Sequence, residues 1–172
     1  MAEWQRKASE YKERLVAINR ITKVVKGSRR FGFAALVVVG NEKGSIGIGS
    51  GKSKQVPSAI KKATQDATRN LIKISLKDGR TLHHDVKGRN GSGKVILRSA
   101  PAGTGIIAGG PIRAVCDVLG IQDIVAKSLG SSNPHNVLKA CVKGLASQSS
   151  PKRLSELRGK KISEIVLKRE NS

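Results

Sequence analysis

Gly51-Lys52-Ser53, behind a run of alternating glycines, is the stretch that comes nearest to a phosphate-binding loop. Such a loop needs a glycine, four intervening residues, and then Gly-Lys-Ser/Thr, so that backbone amides and the lysine close around phosphate. The position five before Gly51 is Ile46, so the first glycine is missing. Gly47, Gly49 and Gly51 make only Gly-x-Gly-x-Gly, which does not meet the dinucleotide pattern. His83 and His84 are adjacent; on a strand they would point to opposite faces and would not share a metal. His135 stands alone near a helix start. Cys116 and Cys141 are 25 positions apart and lie in apolar surroundings, as reduced core thiols do, so no zinc or disulfide framework is read. Asp66, Asp78, Asp85, Asp117 and Asp123 form no paired-carboxylate signature; Asp66 is placed to support Arg69 or Asn70 on its own helix. No catalytic residue, metal or cofactor is expected.

Charge is the stronger signal. The 172 residues carry 33 Lys+Arg against 12 Asp+Glu, a formal net charge of +21. Such a charge opposes compaction unless a polyanion neutralises it, and the basic residues run from Arg6 to Arg169 rather than forming a tag. Nucleic acid is the leading partner and an acidic membrane the runner-up. Charge alone gives no base specificity and suits DNA as well as RNA. With one Trp, one Tyr and two Phe, broad base-stacking platforms are not expected. The candidate contacts are Lys23, Lys26, Arg29 and Arg30 around one turn; Lys52, Lys54, Lys61, Lys62 and Arg69 at or on a helix; and Lys87, Arg89 and Lys94 around a second turn. A charged helical face is often merely solvated, but the net charge and the preceding Lys52 and Lys54 favour RNA contact for this one.

The elements that must position these residues can be read in order. Residues 1–14 form a polar arm, weakly helical, with Trp4, Ala8 and Tyr11 on one side. Leu15 to Val25 reads as a strand, Lys26 to Arg30 as a basic turn around Gly27, and Phe31 to Val39 as a strand apolar enough to be central or helix-covered. Ser45 to Gly49 is a third strand, with Ile46 and Ile48 inward; its glycines mark a close backbone approach to RNA or to another segment of the chain. Pro57 to Leu71 is a helix with Ile60, Ala63, Ala67 and Leu71 as its apolar stripe. After a boundary near Ile74 to Gly79, Leu82 to Lys87 is a strand, Gly88 to Gly93 a turn, and Lys94 to Ser99 a strand. Ala100 to Pro111 is too apolar for a solvent loop and reads as a packed turn or an interface. Pro111 to Leu119 is a helix ended by Gly120, and Ile121 to Leu129 supplies a strand and its continuation. Asn133 caps a helix with Pro134 in its first turn. Ser147 to Pro151 breaks that helix, leaving a basic tail with a helical piece near Ser163 to Leu167. No secretory segment is visible at the N-terminus, and Phe31 to Val39 is too short to span a bilayer as a helix.

Several of these stretches closely resemble protein five of the bacterial small ribosomal subunit: Lys26 through Gly40, Gly47 through Lys52, Val56 through Ala63, Gly103 through Gly110, and Gly130 through Val137. They match in order across about residues 10–165. The resemblance implies an α+β protein. Its N-terminal domain, 15–76, would be like a double-stranded-RNA-binding domain, a three-stranded antiparallel sheet packed on a helix. Its second α/β domain, 77–150, would carry a left-handed βαβ crossover where the usual rule gives a right-handed one. A basic tail, 151–172, follows. It further implies a structural role in the cytoplasmic 30S subunit, with small-subunit rRNA and small-subunit proteins four and eight as partners, no membrane, contact with mRNA where it enters, and an influence on decoding accuracy. Lys26, Gly27, Ser28 and Arg29 would lie near the spectinomycin site, and Gly103, Thr104 and Gly105 would face protein four. Ser28, Ser50 and Asp85 depart from the family pattern. A free RNA chaperone is the alternative, and a phosphate-handling enzyme comes third.

Overall fold

The computed structural model describes residues 11–170. The chain folds as two four-stranded sheets, ordered β1-β2-β3-β4 and β5-β6-β8-β7. The strands are β1 (Lys12–Val25), β2 (Ser28–Gly40), β3 (Ser45–Ser53), β4 (Ile72–Lys73), β5 (Val86–Asn90), β6 (Gly93–Ser99), β7 (Ile106–Ile107) and β8 (Ile124–Gly130). The helices are α1 (Val56–Arg69), α2 (Gly110–Leu119), α3 (Pro134–Ser147), α4 (Pro151–Arg158) and α5 (Ile162–Glu170).

The first sheet is antiparallel throughout, and β2 runs through its centre. Successive residues of β2 are buried on alternate faces. Ala35, Val37 and Val39 pack with Ala59, Ala63 and Ala67 of α1. Leu36 and Val38 join the main core with α2 and α3. The continuous apolar run is therefore covered on both faces, as its composition requires. The sheet gains a fourth, two-residue strand, β4, which pairs with Ser45 and Ile46 where three strands were expected.

The contact between β3 and α1 explains the glycine alternation. A Cβ on Gly47, Gly49 or Gly51 would lie 2.1, 2.0 or 2.3 Å from the carbonyl oxygens of Ala67, Ala63 and Ala59 respectively. Small residues on both elements let the backbones touch. The alternation thus serves helix–sheet packing, and the close approach is to the chain's own helix. The stripe of α1 is accordingly Ala59, Ala63 and Ala67; Ile60 is half-buried and Leu71 lies beyond the helix end.

The second sheet repeats the device. A Cβ on Gly88 would sit 2.0 Å from the Ala140 carbonyl oxygen, and one on Gly93 about 3.0 Å from Asn136. Gly88 belongs to β5, so the expected turn from Gly88 to Gly93 shrinks to Gly91 and Ser92 between the paired Asn90 and Gly93. The expected strand from Leu82 to Lys87 is also corrected. Strand pairing starts at Val86. Before it, Thr81 and His84 are held by cross-bonds: Thr81 Oγ1 donates to the Asp123 carbonyl (2.7 Å), His84 Nδ1 donates to the Asp85 carbonyl (2.8 Å), and Ser149 N–H donates to His84 Nε2 (3.2 Å). The crossover β7–α2–β8 joins two parallel strands. Its Gly120 cap is left-handed, with φ +89°, as read from sequence, but β8 begins at Ile124 rather than Ile121.

The chain ends bring two further corrections. β1 begins at Lys12, inside the stretch expected to be an arm; Trp4 and Ala8 lie outside the described residues. The tail holds two helices. Pro151, read as a breaker, opens α4 with Ser150 as its cap, whose Oγ accepts from Arg153 N–H at 3.3 Å.

Candidate nucleic-acid interface

The β1–β2 hairpin outruns its sheet. β3 pairs with β2 only from Phe33 onward, so the rungs from Ile21↔Gly32 to Val25↔Ser28 form a two-stranded ribbon. Gly27, at φ +78°, makes the tip turn. The residue after it, Ser28, already belongs to β2 and has no positive φ, so a glycine is not required there. Lys23, Lys26, Arg29 and Arg30 are all exposed on this ribbon. Lys23 lies directly opposite Arg30. Like charges facing across a ladder destabilise it, and no acidic residue occurs between Glu13 and Glu42 to offset them.

Lys52 and Lys54 stand at the ribbon's base, because β3 runs back toward Phe33 and α1 starts there. The first turn of α1 contains no acidic residue, and its cap Gln55 makes no side-chain bond to the helix amides. A helix start of this kind attracts anions. Lys61 and Lys62 are exposed further along α1. Arg69 is exposed too, but it lies in the last turn, about 20 Å along a 14-residue helix from the first. There it complements the helix dipole. The structure therefore groups Lys52 and Lys54 with the ribbon and leaves Arg69 at the far end. Asp66 accepts from Ser50 N–H (2.9 Å) and Asn70 Nδ2 (3.2 Å), tying β3 to the helix.

Lys87, Arg89 and Lys94 do not sit on a loop. They lie on β5 and β6, exposed on the sheet face opposite the buried Val86, Val95 and Leu97. Arg89 faces Lys94 across the ladder, a second pair of opposed cations. The same face carries Arg98 and, on β8, Lys127, which pairs with Ile96. Both were missed in the sequence, although the alternation Lys94, Ile96, Arg98 already put Arg98 with Lys94. Arg98 reaches Asp85 at 3.8 Å, and Asp85 accepts from Ser99 N–H at 3.0 Å, so Asp85 fastens the end of β6.

Gly103, Thr104 and Gly105 form a separate feature. Gly103 N–H and Gly105 N–H both donate to Asp123 Oδ1, at 2.9 and 3.0 Å. The other carboxylate oxygen pairs with Arg80 Nε. Thr104 Oγ1 donates to the Pro101 carbonyl at 2.8 Å. Asp123 is buried, and the Arg80 guanidinium, followed by the Gly105 amide, holds its carboxyl below the ordinary carboxylate range. The apolar loop is thus fixed from behind while Pro101, Ala102 and Gly103 stay exposed.

Cys116 and Cys141 are free and buried; burial, then Asp117, pushes the Cys116 thiol up to about 12, and burial raises that of Cys141. Among the described residues no group of His, Cys, Asp and Glu is arranged to hold a metal ion, and no helix is long and apolar enough to cross a membrane.

Fold and charge together define a two-sheet α+β protein that presents cations on a projecting ribbon, at a helix start and on an open sheet face. Residues 11–75 match the N-terminal domain of ribosomal protein S5, and residues 88–158 match its C-terminal domain. The small ribosomal subunit protein uS5 of Pelagibacter ubique is 66% identical over 157 residues, covering 91% of this chain and 92% of that protein. That of Ruegeria pomeroyi is 57% identical over 165 residues, covering 96% and 87%. The chain belongs to the ribosomal protein S5 family.

Proposed function

We propose that this chain is a structural, non-catalytic constituent of the small ribosomal subunit in the cytoplasm, holding small-subunit rRNA through Lys23, Lys26, Arg29, Arg30, Lys52, Lys54, Lys61, Lys62, Lys87, Arg89 and Lys94. Arg69 is the weakest of the sequence candidates because of its place at the far end of α1. The observation that carries the reading is the pair of cation-on-cation rungs, Lys23↔Arg30 and Arg89↔Lys94. Neither Lys23, Arg30, Arg89 nor Lys94 has an ion pair among the described residues. A phosphate backbone laid along the ribbon and the sheet face removes that repulsion and releases its own counterions. The A-form shape, rather than base identity, is what such scattered contacts read.

Finer assignments belong to the same reading. The turn Lys26, Gly27, Ser28 and Arg29 lies beside the spectinomycin site. The loop at Gly103, Thr104 and Gly105, braced by Asp123, faces small-subunit protein four, and protein eight is a further neighbour. The protein borders the path by which mRNA enters and influences decoding accuracy. It does so by changing the energy of subunit closure, a coupling between sites rather than a chemical step.

Sedimentation of the native protein from lysate after a moderate-salt wash tests the proposal. One copy per small subunit, retained in 30S, 70S and polysome fractions, is expected. Protein left at the top of the gradient, or substoichiometric in the 30S peak, overturns it and points to a free RNA chaperone.

A further inference from the structure

The two faces of the β1–β2 ribbon differ in chemistry. One carries Lys23 and Arg30, with Ile21, Val25, Ser28 and Gly32. The other continues the α1 side of the sheet and carries Arg20, Thr22, Val24, Arg29 and Phe31. Val24 is 74% exposed and Phe31 53% exposed. The Arg20 guanidinium lies 4.2 Å from the centre of the Phe31 ring. Phe31 is thus an aromatic ring held largely in water, at the base of a ribbon with no acidic residue, and prestacked with a cation. The structural use of such a ring is burial, yet Phe33, two residues on, is the one that packs with the core of α1.

We propose that the Phe31–Arg20 pair is a stacking site for one unpaired nucleobase of small-subunit rRNA. The inference rests on the rRNA reading above and adds to it a contact of a different kind. Unpaired bases stack on aromatic rings and on guanidinium planes, and every base has such a face. Arg29 lies on the same face of the ribbon, and Lys26 at its tip, to hold the phosphates flanking that base. Charge complementarity selects this occupant: a protein surface would need acidic groups to approach Arg20 and Arg29, whereas RNA brings both the anion and the π-face. The Lys23–Arg30 face, which lacks an aromatic ring, is left for phosphate alone. The ribbon then anchors with one face and reads the presence of an unstacked base with the other.

The full chain is titrated with small-subunit rRNA across a salt series, with base-face chemical modification of the bound RNA. Phe31→Leu keeps an apolar strand residue but removes the ring. It is expected to weaken binding about tenfold at every salt concentration, with the salt slope unchanged, and to expose a single unpaired base to modification. Phe31→Tyr is expected to restore both affinity and protection. Lys23→Gln is expected to lower the salt slope by about 0.9 and to leave base reactivity as in the wild type. Thermal melting of the free variants checks that the fold survives; Phe31 is too exposed for its loss to unfold the protein. The proposal is overturned if Phe31→Leu binds as the wild type does, if it loses affinity without exposing any base, or if Phe31→Tyr behaves like Phe31→Leu. Wild-type protein that binds no rRNA sinks the rRNA reading itself, and this inference with it.

Discussion

Gly49 decides how closely α1 lies on the first sheet. A Cβ there would fall 2.0 Å from the Ala63 carbonyl oxygen and 2.3 Å from Ala67 N. Neither atom is the end of a flexible side chain, so relief requires the helix backbone to move. Gly49→Ala is expected to destabilise the free protein by about 3 kcal/mol, the upper part of the range for overpacked cores, as urea unfolding would read. Gly110 offers the contrast. It opens α2, has no positive φ, and a Cβ there meets nothing within 4 Å. Gly110→Ala is expected to be neutral or stabilising by up to about 1 kcal/mol through the unfolded chain. Equal effects at the two positions would show that backbone contact is not what keeps glycine in β3. The sequence showed that these glycines mark a close approach but left open to what. The answer required the register of β3 against Ala59, Ala63 and Ala67, which periodicity alone does not provide.

Among the elements, the loop between β6 and β7 depends on a single carboxylate. Asp123 receives Gly103 N–H, Gly105 N–H and Arg80 Nε, and its backbone carbonyl receives Thr81 Oγ1. The carboxyl is held below its ordinary value first by Arg80, so the charged form is favoured in the folded state. Its stabilising contribution is complete above the unfolded value of about 3.9 and disappears as pH falls through the lower folded value. Asp123→Asn is therefore expected to lower the melting temperature at pH 7 and to approach the wild type at about pH 3. A difference that stays constant down to that pH would mean that the charge is not the link. Nothing in the sequence singled out Asp123, because its partners come from residues 80 and 103–105 and meet only in the fold. Local signals fared better. Asn133 accepts from His135 N–H at 3.1 Å as the cap of α3, and Gly120 ends α2 as expected. The break read at Ser147 to Pro151 is there, since α3 ends at Ser147; what went unread is that Pro151, preceded by the cap Ser150, also opens α4, because proline both stops one helix and favours the first turn of the next. Arg89 was placed on a turn because Gly88 reads as a breaker, when in fact the missing side chain there lets the backbone of β5 come up against the Ala140 carbonyl of α3.

For the whole molecule, charge and core act in opposite directions. The free protein's cations repel one another, and raising salt from about 0.01 to 0.1 M shortens the Debye length from about 30 to 10 Å. Its melting temperature is therefore expected to rise over that range, while its affinity for rRNA falls; a melting temperature that falls instead would mean self-repulsion is not a leading cost. The core sets how unfolding proceeds. Sequence composition suggested a boundary near residues 74–79, and we propose that the two sheets nonetheless unfold together. The turn between β2 and β3 is bonded to the end of α2: Glu42 N–H donates to the Val118 carbonyl at 3.0 Å, and Gly44 N–H to that of Leu119 at 3.2 Å. Leu36, Val38 and Ile46 of the first sheet share one apolar cluster with Leu97, Val115, Leu119 and Leu138. A Cβ on Gly120 would meet the Glu42 carbonyl oxygen at 2.1 Å, so the approach there is again backbone on backbone. Separating the halves would expose that cluster and leave those amides without their carbonyls. Calorimetry is expected to give one transition whose calorimetric and van't Hoff enthalpies agree, and a fragment of residues 77–150 is expected not to fold alone. Two resolved transitions, or a folded fragment, would mean that α2 binds the first sheet too weakly to couple them, and that the ribbon and the second sheet face reach RNA as independent bodies rather than as one rigid unit.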